Sequence, residues 1–176
     1  QRRSVKSFTD QPIQQEEIIR ILEDATWAPN HGNRNPWRFI VATGEANETL
    51  VDVIKEFAVP NWKQLDEETL AKQLHKFRSI GGVAFVIVPE DVRQKERLED
   101  FGAASALIQN AQLLALDRGI GSCWKTPPFL DHPKFRERLG VQSGERVISM
   151  LQFGYAAVEP KAKERVAIDE LVTIFK

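Results

Sequence analysis

The sequence is poor in most of the features that mark a specialised environment or chemistry. It contains one cysteine, Cys123, so no disulfide can form within the chain and a cysteine-rich metal site is excluded. Its histidines, His31, His75 and His132, are far apart, and none belongs to an H-E-x-x-H pattern. A zinc hydrolase is therefore not expected, and no metal ligand set is assigned. Neither charge sign dominates: Lys plus Arg total 24 and Asp plus Glu 25, for a formal charge of −1. No global basic field exists to gather nucleic acid, so any anion site must be local. No apolar run approaches the length of a membrane span, and no signal-peptide pattern occurs. The first residue is Gln1 rather than Met, from which a few preceding residues are expected. A reducing, cytoplasmic setting is the expectation.

What is present is ordinary for a globular protein. Hydrophobic residues make up 42% and charged residues 28% of 176, enough for a single domain over 1–176 with a sizeable core. No repeat, low-complexity tract or linker interrupts it. The stretch "DQPIQQEEIIRILEDATWAPN" reads as a helix, with Thr9 or Asp10 at its entry and Pro29 as its stop. "WRFIVAT" reads as a strand, "ANETLVDVIKEFA" and "DEETLAKQLHKF" as amphipathic helices, and "GGVAFVIV" as a strand buried on both faces. "RLEDFGAASALIQNAQLLALDRG" is a long helix, apolar or small nearly all round, which Gly119 is placed to stop. A short strand "GSCWKT", a small helix "HPKFRERLG", a strand "RVISMLQFGYA" and an extended tail follow. Helices and strands are mixed without strict alternation, so the expected class is α+β rather than doubly wound α/β.

Nucleophilic chemistry has little support. Ser122 and Cys123 lie in an apolar strand without G-x-S-x-G spacing, and Cys123 reads as a small buried hydrophobe. The glycines of "RGIGSCW" follow a helix and enter a strand, the reverse of a dinucleotide fingerprint. What remains is a set of polar segments beside core elements: Arg2-Arg3-Ser4, Asn30 to Asn35, Trp124-Lys125-Thr126, and the basic run from Lys161 to Arg165. Arginine forks suit phosphate, while hydroxyls and amides can read a sugar or a heterocycle edge. Such a set fits a phosphorylated planar ligand.

"RRSVKSF", "WAPNHGNRNPWRFIV", "DFGAASALIQNAQLLALDRGIGSCW" and "GYAAVEPKAKERVAIDELV" occur in the order found in the FMN-dependent nitroreductase family. The chain resembles that family over nearly its whole length, and its compact YdjA-like subgroup in size. The resemblance implies a mixed central sheet flanked by helices, and a homodimer whose interface contains the long helix. It implies FMN at a two-subunit seam, with NADH or NADPH as electron donor and a small conjugated electron acceptor as substrate. By the same resemblance, Arg2, Arg3 and Ser4 contact the phosphate, ribityl chain or ring edge. Trp27, His31 and Asn33 approach from the partner; Trp124, Lys125 and Thr126 line the same FMN; and Arg165 closes over the phosphate. Arg3 and Lys125 are the electrostatic candidates near the flavin N1 edge. Two departures stand out: Asn35 occupies a position where Gln is common, and His31-Gly32 replaces a small polar pair.

Several residues carry a plain structural alternative. His31 and Asn33 suit a tight turn, Trp27 could end its helix in the core, and Lys125 could be a solvated strand end. Arg165 could pair with Glu159 or Glu164. Phe57 and Trp62, which flank Pro60, read first as packing aromatics and second as parts of a lid. A flavin-handling or flavin-sensing protein without efficient turnover is the alternative function. A scaffold using the long helix only to dimerise comes after it.

Overall fold

The computed structural model describes residues 2–175. Helix α1 spans Gln15–Ala25 and strand β1 Arg38–Thr43. Helices α2 (Gly44–Ala58) and α3 (Glu67–Arg78) precede β2 (Gly82–Pro89) and the long α4 (Gln94–Asp117). Strand β3 (Gly121–Lys125), α5 (Pro133–Leu139) and β4 (Glu145–Gly154) complete the main elements. The four strands lie in the order β1-β2-β4-β3, and every neighbouring pair is antiparallel. The parallel component comes from the amino-terminal arm, where Ser4 bridges Ser122 and the Val5 N–H donates to the Ser122 carbonyl at 3.0 Å. The fold is α+β.

Strand β2 shows why the sheet is central. Its residues from Gly82 to Val88 are all buried, as a continuous apolar run requires. Successive side chains point to opposite faces. Ala84, Val86 and Val88 join a core with Ile18, Ile21 and Leu22 of α1 and Leu107 and Ile108 of α4. Val83, Phe85 and Ile87 join a second core with Leu50 and Ile54 of α2 and Phe135 of α5. Phe135 is fully buried, and the rings of Phe57, Phe85 and Phe129 meet it at centroid distances of 5.5, 6.1 and 4.8 Å.

The long helix α4 buries Ala103, Ala104, Leu107, Ile108, Ala111 and Ala115 against the sheet and α1. Leu98, Phe101, Leu113 and Leu116 remain exposed on it. The even apolar distribution read in the sequence therefore serves two faces, only one of them covered by this chain. Gly119, at φ 72°, ends the helix in the left-handed region as anticipated.

The start of α1 differs from expectation. Gln14 precedes the first turn and caps nothing with its side chain, while Thr9 Oγ1 accepts from the Gln11 N–H at 3.4 Å. Thr9 and Asp10 belong instead to the incoming arm, which runs on past Phe8 to Pro12. The helix also stops at Ala25, before Pro29, with Thr26 Oγ1 donating to the Glu23 carbonyl at 2.6 Å. Turn bonds from the Trp27 N–H to the Asp24 carbonyl and from the Ala28 N–H to the Ala25 carbonyl then carry the chain on to Pro29.

Close packing holds the arm against the sheet edge. A Cβ on Gly121 would lie 2.7 Å from Val5 Cγ2, and one on Gly154 would lie 2.5 Å from Phe8 Cδ1. Both glycines leave room for the arm's side chains.

Candidate cofactor site

The arm and β3 run side by side, and this pairing brings the polar segments together. In an extended arm, alternate residues share a side, so Arg2, Ser4 and Lys6 form one row beside β3. Lys6 joins Lys76 and Lys125 at the rim of a cavity of about 700 Å³. Trp124 and Thr126 also line it, together with Phe57, Phe77 and Phe129. The indole of Trp124 is held by donation from Nε1 to the Ile148 carbonyl at 3.2 Å. Further along the edge, Arg2, Arg3, Ser122 and Glu159 line a cavity of about 160 Å³ with Gln112 of α4. Arg3, Glu159 and Lys161 also border a shallower cavity of about 550 Å³.

The sequence gives Lys6 no role of its own, although it belongs to the same basic start as Arg2 and Arg3, and does not mark Lys76 at all. The first had a usable signal, the two-residue spacing from Ser4 in an extended segment. The second had none, because a lysine in the last turn of a helix is already explained by the helix dipole. Phe57 lines the large cavity and also packs on Phe135, so it combines wall and core. Trp62 packs against Val51, Val59 and Leu74, with Lys55 Nζ over its ring at 4.8 Å, which supports its packing role.

The other sequence candidates lie elsewhere in the chain. His31 and Asn33 form a 3₁₀ turn in which Gly32, Asn33 and Asn35 have φ values of 61°, 52° and 49°. Asn and Gly are the residues that tolerate this region. The Asn35 N–H donates to Asn30 Oδ1 at 2.9 Å, closing the loop. Arg34 then ties the loop to α4: its Nη2 donates to Asp100 Oδ1 at 2.7 Å and to Glu99 Oε2 at 3.2 Å. The hydrogen bond to Asp100 chiefly holds the Arg34 pKa above its ordinary value. His31 lines a cavity of about 440 Å³ with Asn30, Glu99 and Gly102.

Trp27 is 89% exposed, which removes its reading as a core residue. Arg165 is exposed on the extended tail and forms no ion pair with Glu159 or Glu164 among the described residues. One chain therefore brings Arg2, Arg3, Ser4, Trp124, Lys125 and Thr126 to the β3 edge, and leaves Trp27, His31, Asn33 and Arg165 apart from them. Cys123 is buried, as read.

Comparison with known proteins identifies the family and the fold. A sequence model of the Nitroreductase family matches residues 1–155. The chain belongs to the nitroreductase family. A Bacillus subtilis relative named "Putative NAD(P)H nitroreductase YfhC" is 35% identical, over 98% of this chain and 89% of its own. A crystal structure of a nitroreductase-like family protein from Bacillus cereus is 38% identical and superposes with a TM-score of 0.84, covering 99% of this chain and 91% of that one. The FMN and NADPH-dependent nitroreductase NfnB from Sphigopyxis sp. strain HMH is 21% identical with a TM-score of 0.77, covering 99% and 96%. At that identity the likeness is one of fold.

The nitroreductase-family site has a donor set whose chemistry fits a flavin mononucleotide. An aromatic-walled cavity rimmed by ammonium groups matches a planar heterocycle with a carbonyl edge, and Arg2 and Arg3, four and three residues before Lys6 in the arm, match a phosphate. Among the described residues no group of carboxylates, histidines and cysteine could hold a metal ion, and no helix is long and apolar enough to cross a membrane.

Proposed function

We propose that this chain is an FMN-dependent NAD(P)H oxidoreductase that reduces nitroaromatics, quinones or similar conjugated acceptors, acting as a homodimer in a reducing, cytoplasmic setting with residues 1–176 as one domain. The observation that carries the reading is the single strand pairing, Ser4 with Ser122, that sets an arginine-lined cavity next to a lysine-rimmed, aromatic-walled one. Held by these residues, FMN would supply the hydride-transfer chemistry between NAD(P)H and the second substrate, in a proposed ping-pong order.

The chain's own residues bind and orient. Arg2, Arg3 and Ser4 hold the phosphate and ribityl end, and Lys6, Lys76 and Lys125 direct their charge at the carbonyl edge of the ring. Preorganised cations there favour the more electron-rich state of whatever heterocycle they face. Trp124 and Thr126 wall the ring. Trp27, His31 and Asn33 approach from a second copy of the chain, and Arg165 closes over the phosphate. No side chain acts as nucleophile or obligatory acid, and hydride transfer requires none.

The test is an absorbance spectrum of the purified protein before and after anaerobic NAD(P)H. A yellow protein that bleaches with NAD(P)H and recovers its colour with a nitroaromatic or quinone is the expected result. Protein that takes up no FMN defeats the proposal. Stoichiometric FMN with negligible NAD(P)H oxidation turns the reading to flavin handling or sensing.

A further inference from the structure

Gln112 lies on the covered face of α4, between Leu107 and Ala115, where an apolar residue would be the simple choice. Its side chain is 3% exposed, and its Nε2 is buried without any hydrogen-bond partner. An orphaned buried donor of this kind is costly and rare in a folded chain. The same side chain lines the cavity of about 160 Å³ that Arg2, Arg3 and Ser122 share. The side chain that carries the unmet donor thus borders a cavity into which an acceptor could come.

The character of that acceptor follows from the surroundings. Arg2 and Arg3 outnumber Glu159 among the charged groups lining the cavity, leaving a cationic surplus. The last-turn carbonyls of α4 do not compete for Gln112, since they already accept: Leu114 from Arg118 Nη1, Ala115 from the Ile120 N–H and Leu116 from the Gly119 N–H. The volume suits a phosphate with its ester oxygen and excludes a tricyclic ring. A second copy of the chain is not what the donor awaits, because the amide is already buried within one chain.

We infer that Gln112 is a binding residue of the phosphate subsite, its Nε2 donating to a phosphate oxygen held between Arg2 and Arg3, and so a determinant of preference for the phosphorylated over the unphosphorylated flavin. This rests on the FMN reading above and adds a residue to it. The donor is kept unpaired in the empty fold because the phosphate is its partner, and a neutral amide donates there without adding charge to the core.

The test compares FMN and riboflavin binding, by quenching of flavin fluorescence, in the wild type and in Gln112→Met, which keeps the side chain's length and removes its donor. FMN affinity is expected to fall about tenfold, with riboflavin affinity within about twofold. The melting temperature of the flavin-free protein should hold or rise, since a buried unmet donor is gone; a merely structural role predicts a fall. Gln112→Glu serves as a second variant and should weaken FMN more than riboflavin by setting a carboxylate against the phosphate. Equal loss for both flavins, or loss for neither, overturns the assignment. Should the wild type bind neither flavin, the proposed function fails, and inorganic phosphate decides the subsite separately. Thermal stabilisation by phosphate in the wild type but not in Gln112→Met retains it, and none in the wild type overturns it.

Discussion

Lysine side chains from three separate segments meet at the large cavity: Lys6 from the arm, Lys76 from α3 and Lys125 from β3. Like charges gathered around an aromatic-walled space gain from a neighbour that becomes electron-rich. Lys76→Met should therefore lower the midpoint potential of bound flavin, whereas Lys72→Met, on an exposed ion pair with Glu68, should leave it unchanged. A tenfold change in relative affinity for the two oxidation states corresponds to about 30 mV for a two-electron couple, a shift that spectroelectrochemistry resolves. An unchanged potential in Lys76→Met would remove the lysine from the ring edge. These residues also show where the sequence was and was not readable. Lys6 could have been found from the period-2 row Arg2, Ser4, Lys6 once the arm was taken as extended. Lys76 could not, because nothing local distinguishes it from a lysine matched to a helix end. Trp27 was ambiguous for a different reason: exposure depends on how α1 leaves the sheet, which no neighbour in sequence reports.

At the scale of elements the apolar pattern was sufficient wherever burial was complete. β2 was legible because both its faces are covered, and α4 because small residues alternate with large ones over its whole length. Element ends were less legible, since turn bonds such as those after Ala25 form on terms the pattern does not carry. One long-range link escaped it altogether. Arg38 of β1 reaches past β2 to Glu145 at the start of β4, its Nε donating to Oε1 at 2.6 Å and its Nη2 to the Glu145 carboxylate. The same carboxylate accepts from the Gln142 N–H at 2.7 Å, and the Glu145 carbonyl accepts from Arg136. The Arg38 hydrogen bond is the main cause holding the Glu145 pKa below its ordinary value. A depressed carboxylate contributes stability above its unfolded pKa, about 4.3 for Glu, and loses it as pH falls through the folded value. Glu145→Gln should thus lower the melting temperature near pH 7, and the gap from the wild type should close as pH falls below about 4. A gap independent of pH would mean that packing, not charge, accounts for Glu145. Helix α5 offers the apolar counterpart. Phe135→Ala empties the centre of the ring cluster formed with Phe57, Phe85 and Phe129, and should cost about 3–5 kcal/mol in denaturant unfolding.

For the whole molecule, the decisive feature is what one chain leaves uncovered. Leu98, Phe101, Leu113 and Leu116 stand exposed along α4, and Val166, Ile168, Leu171, Ile174 and Phe175 along the tail. Exposed large apolar side chains in this number suit an association site, and the polar candidates divide in a similar way. Arg2, Ser4 and Lys125 lie at the β3 edge, while Trp27, His31 and Arg165 are exposed and line neither of the cavities there. The proposed symmetric dimer would cover the apolar residues of α4 and bring the second copy's Trp27, His31 and Asn33 to the site in one step. Light scattering should therefore give about 40 kDa for two chains of 20.0 kDa each. Leu113→Arg, which sets like charges against each other across a two-fold axis, should yield a folded monomer by circular dichroism. That monomer should also lose FMN, whereas Lys72→Glu on α3 should change neither property. If Leu113→Arg is monomeric and still binds FMN at wild-type affinity, the site is complete within one chain, and Trp27, His31 and Asn33 have no part in it from a second copy.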